Sequence, residues 1–544
     1  MNGQQSILRR ASPLMIARLA IAVVTVATPL VLARVLERNS YGTFKLAWLW
    51  CITLGTVLPM GLTPSLIYFV PREPARRRHF IAHALLVTTV LGLCVGVLLY
   101  RFGPELAVRM RNPELATHMH WVALFTTLFL AGSTMDSIPM SQGHIKLAAA
   151  LRFGYEVTQA IGIVTGAVIT RSLEGALAGI VAGTGFRAIA CWVMVLHEHG
   201  LHVSREDLKR QLAYALPFGV AFAIIVPQQQ FHQYFVAASV GAALFAIYNV
   251  GCFNLPIVDM LYTPVSEILQ LGIAEHDRDG DREGPARLFR EAVARLAFVF
   301  IPTMALLYVC GTTLITFLFT ERYRESVPIF RLAILSIPLA ALPLDGVMRA
   351  RAQNRFMLAV SVVKLALTVP LVVAGFHLFG LRGAMGGWVS AEAITRGILL
   401  LRAGRLLGGM RYLLPWRTLS LQALAAAVAS PVGALALRLT QGPRCSGSCS
   451  AGWRWDCRTS PPCARLASFP RYAAGFPAGA QPYPPRTRRW RPEATPRAAK
   501  ASPGRARTGR AYAGRTDPSR TARRRARARP RPGGQRAARR PKGG

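Results

Sequence analysis

Seven charged side chains interrupt stretches that are otherwise apolar: Arg18, Asp136, Glu156, Arg187, Asp259, Asp345 and Lys364. Glu392 and Arg396 add an i, i+4 pair. The stretch PQQQFHQYF places Gln228, Gln229, Gln230, His232 and Gln233 close together. None of these residues has the spacing of covalent chemistry. The sequence contains no G-x-x-x-x-G-K-[ST] phosphate loop, no H-E-x-x-H, no G-x-S-x-G and no C-x-x-C. A charge in an apolar stretch costs roughly 2.5–3.5 kcal/mol on membrane-insertion scales. Such residues are kept where they face a cavity, a partner or an ion path, so the chemistry they point to is the handling of ions and polar cargo.

Each residue also has a plain structural reading. Arg18 and Arg187 stand near enough to span ends to snorkel. Asp136 and Asp345 can cap or bend helices. Glu392 and Arg396 can pair with each other on one helix. The Gln/His cluster is the more specific signal, because five polar groups within six residues must be hydrogen-bonded or wet; it reads as cleft lining. DRDGDREG (277–284) resembles a calcium loop, but Arg282 stands where the turn glycine belongs and Leu288 where the bidentate glutamate belongs. It reads as a solvated linker. Cys445, Cys449, Cys457 and Cys463 match no common zinc spacing. Neither a cofactor nor a bound metal is expected, beyond H+ or Na+ as a coupling ion.

These residues are carried by membrane helices. The chain is 52% hydrophobic and only 17% charged, against about 25% charged in soluble domains. Thirteen apolar runs are long enough to cross a bilayer: 14–35, 45–70, 80–101, 121–141, 148–170, 173–197, 211–236, 240–270, 292–320, 328–349, 356–378, 381–402 and 419–440. The fold expected is an all-α polytopic membrane protein. The first run follows Arg9 and Arg10 but has no small-residue cleavage site, so it reads as a span and not a leader.

The runs repeat in order. Pro13 matches Pro217, and Tyr41 and Phe44 match Phe245 and Tyr248, all at an offset of 204. Thr63-Pro64 matches Thr263-Pro264 at 200, and EPAR (73–76) matches GPAR (284–287) at 211. Asp136 matches Asp345 at 209, and LEGALAG (173–179) matches LRGAMGG (381–387) at 208. Six spans are therefore duplicated. An even number per unit gives both copies one orientation, so two lobes face each other about an axis along the membrane normal. The expected organisation is a cytoplasmic N-terminus (1–12), an N-lobe (13–197), a linker (198–212), a C-lobe (213–405) and one extra span (406–442). Gly175 and Gly179, like Gly383 and Gly387, let helices approach closely in lipid.

Lys and Arg concentrate in alternate loops, such as Arg76 to Arg78, Lys209 and Arg210, and Arg349 to Arg355. The N-terminus and these loops are expected on the cytoplasmic side. The tail, 443–544, carries 26 basic against three acidic residues from Arg444 onward, which is +23 of the net +40. Its Arg, Pro, Ala and Gly can be encoded by G and C alone. Two readings stand: a genuine disordered basic tail, or translation out of frame after about residue 442. The basic charge belongs to a membrane body and this tail, so nucleic acid is not an expected partner.

Several stretches resemble a known family. VLARVLERNSYGTFKLAW resembles the first-to-second-span junction of polysaccharide exporters, and LKRQLAYALPFG their cytoplasmic approach to the seventh span. LFTERYRESVPIFRLAIL (318–335) is similar to their ninth-to-tenth connection, with Thr320 in place of the usual glycine. The resemblance covers about residues 10–440 and is to the O-antigen and teichoic-acid exporters of the multidrug/oligosaccharidyl-lipid/polysaccharide flippase superfamily. It implies two six-helix lobes, alternating access and an isoprenoid-diphosphate-linked oligosaccharide as cargo. It implies that Arg18, Arg187 and Lys364 meet the anionic diphosphate, and that Asp136, Glu156 or Asp345 couples to protons or sodium. The expectation is a non-enzymatic flippase of the bacterial inner membrane, working in lipopolysaccharide or related polysaccharide assembly beside other assembly proteins. A multidrug/cation antiporter of the same superfamily is the alternative, and a membrane polymerase or glycosyltransferase a more distant one.

Overall fold

A lipid-facing chain can satisfy its backbone only by closing hydrogen bonds within each segment, so long Leu-, Val- and Ala-rich runs become helices. The computed structural model describes residues 21–253, 256–409 and 413–440, and each expected run is largely helical within them. Arg18 and the tail beyond 442 lie outside the described residues. Among the described residues, eight helical stretches are long and apolar enough to cross a membrane. Three shorter apolar helices, Ile21–Val35, Met119–Ala131 and Ala242–Gly251, accompany them.

The third, fifth, sixth, seventh and ninth spans are single helices: Arg77–Arg109, Ile145–Thr170, Leu173–Glu198, Arg205–Ser239 and Gly284–Phe319. The thirteenth is Trp416–Thr440. The eleventh and twelfth form one helical stretch, Asn354–Leu406, interrupted where Gly380 takes φ 61°. Four runs differ from the expected unbroken helix. The second divides into Arg38–Val57 and Leu62–Arg72, the fourth into Met119–Ala131 and Ser137–Ser141, and the eighth into Ala242–Gly251 and Pro256–Arg278. The tenth is Val327–Ala333, two short 3-10 turns, then Leu344–Ala350. Prolines mark two of the four breaks: Pro59 precedes Met60 (φ 47°) and Gly61 (φ 79°) in the second, and Pro338 and Pro343 interrupt the tenth. The broken spans occupy corresponding places in the repeat, second with eighth and fourth with tenth.

The repeated glycine pattern is explained by close helix crossings. A methyl added at Gly175 or Gly179 would overlap the carbonyl oxygen of Gly166 or Gly162 on the fifth span. At Gly383 and Gly387 it would overlap the carbonyl oxygens of Gly375 and Leu371 on the eleventh. Both motifs serve packing.

Buried side chains form one large core and two smaller ones. The large core draws on residues from both the first and the second half of the described chain. It contains Tyr41 and Phe44 from the second span with their sequence counterparts Phe245 and Tyr248 from the eighth. Tyr41 meets Tyr323 edge-on with centroids 5.7 Å apart, Arg38 lies 3.9 Å from Glu325, and a methyl on Gly42 would overlap the carbonyl of Ala242. The two smaller cores are separate. One holds Leu66, Phe80, Ile138 and Val195; the other holds Ile273, Phe289, Val347 and Leu413; no buried residue belongs to both. The seventh span, with Pro217 and Pro227 inside it, bridges the halves. Its start packs on the first: Gln211 donates to Ser65 Oγ at 2.9 Å, and Arg76 and His79 both contact the buried Asp207 carboxylate. Its far part packs on Phe376 and Trp388 of the second. The bundle is thus joined at one end and divided at the other.

Candidate functional site, a linked cleft between the halves

Two larger cavities lie one in each half, and a smaller one lies between the halves. The first, about 580 Å³, lies at the breaks of the second and fourth spans and is lined by Pro59, Gly61, Ser133, Asp136, Glu156 and Arg187 among others. The second, about 380 Å³, includes Lys45, Trp48, Gln230, Asn249 and Asp259. The third, about 610 Å³, lies at the breaks of the eighth and tenth spans and includes Gln229, His232, Lys364, Trp388, Glu392 and Arg396. Trp48 and Ile52 border both the first and second cavities; Gln230, Gln233 and Asp259 border both the second and third. The second cavity therefore shares walls with the first and with the third, and all three are partly polar. Broken helices border the first and third cavities, and irregular backbone at membrane depth is tolerated where it is buried in protein or lines a cavity.

In the first cavity, Arg187 does not snorkel. Its side chain is 11% exposed, with the guanidinium 3.4 Å from Asp136 and Arg152 adding a second contact at 3.7 Å. Arg187 also lies over the rings of Tyr155 (4.3 Å) and Phe129 (5.5 Å). Asp136 immediately precedes the short helix that restarts the fourth span, as its capping reading expects, but its carboxylate serves the two arginines. Glu156 borders the same cavity, and no ion pair to it occurs among the described residues.

Around the second and third cavities the Gln/His stretch separates by role. His232 is buried, with Nδ1 2.8 Å from the Tyr248 hydroxyl and its ring 5.1 Å from that of Trp388. Gln233 donates to Gln230 at 3.0 Å and accepts from Asn249 at 3.1 Å. Gln229 is exposed to the third cavity, and Asp259 is exposed where the second and third meet. Lys364, Glu392 and Arg396 form a triad on the third cavity wall. Asp345 is not part of the cleft lining: it is held by Tyr262, by Ser266 at 3.1 Å and by Arg349.

Lys45 is the residue that reading the sequence missed. The second run appears to begin at Lys45 by hydropathy, but the helix starts at Arg38, so the ammonium lies about two turns inside. It borders the second cavity near the Tyr41 ring, 6.0 Å from its centroid, and no carboxylate pairs with it among the described residues. A seven-residue extension of the apolar run back to the first helix-favouring position would have exposed it. A further repeat match also emerges. Arg187 and Arg396 are 209 residues apart, the Asp136–Asp345 offset. In the second half the arginine donates to the carbonyls of Leu339 and Leu342 and pairs with Glu392 instead.

The fold is shared with known carriers. The chain is similar to the lipid II flippase MurJ in an inward closed conformation (TM-score 0.62, 12% identity, 77% of this chain and 91% of that one). It is similar to an inward-facing multidrug resistance MATE family transporter of the MOP superfamily (TM-score 0.58, 13% identity, 72% and 98%). A MOP superfamily transporter from Pyrococcus furiosus also matches (TM-score 0.52, 12% identity, 74% and 96%). No curated protein sequence matches the chain. The description "Polysaccharide biosynthesis protein" matches residues 31–328, more than half of the chain, and the protein belongs to that family.

Proposed function

We propose that the protein carries a lipid-linked saccharide across the cytoplasmic membrane by alternating access. The observation that carries this reading is the set of partly polar cavities, one in each half and one between them that shares walls with both, in a bundle with a shared core at one end and separate cores at the other. A polar head group needs such a wet path, while its lipid tail remains in the bilayer. In this reading 13–197 and 213–405 are the two rocking lobes. The divided end carries the Arg-rich loops and faces the cytoplasm, as the charge rule requires, which also places the N-terminus inside.

The cargo is an isoprenoid-diphosphate-linked oligosaccharide, such as an O-antigen-like repeat unit. Lys45 supplies an uncompensated cation for the diphosphate, and Lys364, paired with Glu392 on the third cavity, a second cation. Arg187 acts mainly as the strut of the first cavity, because Asp136 already neutralises it. Glu156 and Asp259 are the carboxylates available to a coupling proton or sodium ion, since Asp136 and Asp345 are engaged by arginines.

The test is depletion of the protein in its native cell. Lipid-linked repeat units should accumulate on the cytoplasmic leaflet while surface polysaccharide falls. Normal surface polysaccharide together with lost efflux of organic cations would refute the reading in favour of an antiporter.

A further inference from the structure

Glu392 stands between two cations on the wall of the third cavity. Its Oε2 is 2.5 Å from Lys364 Nζ, and its Oε1 is 2.7 Å from Arg396 Nε. The three side chains are 14–23% exposed and line the cavity. A carboxylate that gives one oxygen to each of two cations reproduces the contact a phosphate or sugar carboxylate would make there.

The two cations are not equally committed. Arg396 also donates to the carbonyl oxygens of Leu339 (3.0 Å) and Leu342 (3.3 Å), tying the twelfth span to the broken tenth. Lys364 has no such backbone tie. Beyond Glu392 it meets the Gln228 amide oxygen at 3.2 Å, in the orientation that also lets the amide nitrogen donate to the Ser361 carbonyl at 2.9 Å. An ammonium on a flexible four-carbon stem changes partner readily. The triad sums to one positive charge, so an entering anion would neutralise it.

Resting on the lipid-linked cargo reading, we propose that Glu392 is a resident stand-in for the anionic part of the cargo. In the empty carrier it occupies Lys364. When a diphosphate or acidic sugar enters, Lys364 turns to it and Glu392 stays on Arg396. When the cargo leaves, Glu392 takes Lys364 back. The built-in competitor lowers affinity and speeds release, and a carrier needs binding weak enough to let its load go.

The test measures binding of inorganic pyrophosphate to the full-length protein in detergent by calorimetry. Glu392→Gln, which keeps a hydrogen-bond acceptor for Arg396, should bind about tenfold more tightly than wild type, the factor that corresponds to ~1.4 kcal/mol. Lys364→Gln should bind about tenfold more weakly. In vesicles, Glu392→Gln should lower both the half-saturating cargo concentration and the maximal rate. Equal or weaker pyrophosphate binding by Glu392→Gln overturns the stand-in role and leaves the cargo reading intact. Should that variant not fold, Lys364→Gln decides alone, because it leaves the Glu392–Arg396 pair whole: unchanged pyrophosphate affinity overturns the proposal. The cargo reading fails by a different result, normal surface polysaccharide with no accumulation of lipid-linked repeat units on depletion.

Discussion

Thr320 should be replaceable by glycine with a gain in stability. The residue follows the ninth span with φ 79° and ψ 164°, a backbone region that is almost exclusive to glycine. A side chain held there costs about 1–3 kcal/mol. The Thr320 hydroxyl is also buried without a hydrogen-bond partner, which adds about 1 kcal/mol. Against this, glycine loses about 0.5–1 kcal/mol more backbone entropy on folding, and a buried methyl worth ~0.8 kcal/mol disappears. The net expectation for Thr320→Gly is a gain of about 1–2 kcal/mol. The assay is thermal unfolding in detergent, followed by the fraction remaining monodisperse after heating. Thr320→Ala is the discriminating control, because it removes the hydroxyl but keeps the Cβ in the same conformation. If Thr320→Gly is no more stable than Thr320→Ala, the backbone there is unstrained and the argument is wrong.

Neighbouring glycines of the twelfth span should behave oppositely. Gly387→Ala pushes a methyl into the Leu371 carbonyl and should cost about 1–3 kcal/mol; Gly386→Ala meets nothing within 4 Å and should gain up to ~1 kcal/mol from helix propensity. Matching thermal midpoints for the two would refute the crossing geometry. Lys45→Met should leave thermal stability unchanged or higher, since an unpaired cation is removed, while vesicle transport of lipid-linked saccharide falls about tenfold or more; wild-type transport would exclude Lys45 from cargo binding. Asp281, outside the spans, accepts the backbone N–H groups of Gly284 and Glu283 at the start of the ninth span. The Gly284 N–H above all holds its carboxyl below the ordinary range against the opposing effect of burial, with Glu283, His276 and Arg287 adding to the lowering. A depressed folded pKa gives stability that is present above the unfolded value, about 3.9, and lost as pH falls through the folded one. Thermal midpoints of wild type and Asp281→Asn should therefore differ by a constant amount at neutral pH and converge under acid; a gap that widens under acid would reverse the assignment.

Much of this architecture was legible in the residues. Hydropathy located the spans, and the ordered offsets paired Tyr41 and Phe44 with Phe245 and Tyr248, which the fold then buries together. The Gly-x-x-x-Gly spacing of both sixth-type spans predicted close crossings, and both occur. The breaks in the second, fourth, eighth and tenth spans were not legible, because the residues that make them, such as Pro59, Met60 and Gly61, are themselves apolar or small and average away in a hydropathy window. Lys45 escaped for a related reason: its helix begins before its apolar run does. The fates of the charges depended on partners far along the chain. Asp136 lies 51 residues before Arg187, and Lys364 lies 28 before Glu392. No local spacing rule joins such pairs, so Asp345 and Asp136 looked equivalent in sequence although only Asp136 borders the cleft.

The severed spans have an evolutionary corollary. Where a helix stops partway, its terminal amides and carbonyls are left to face whatever fills the neighbouring space. Those dipoles belong to the polypeptide itself, and no point substitution other than to proline deletes them. Polar character supplied by main chain at the breaks therefore persists while the surrounding side chains change.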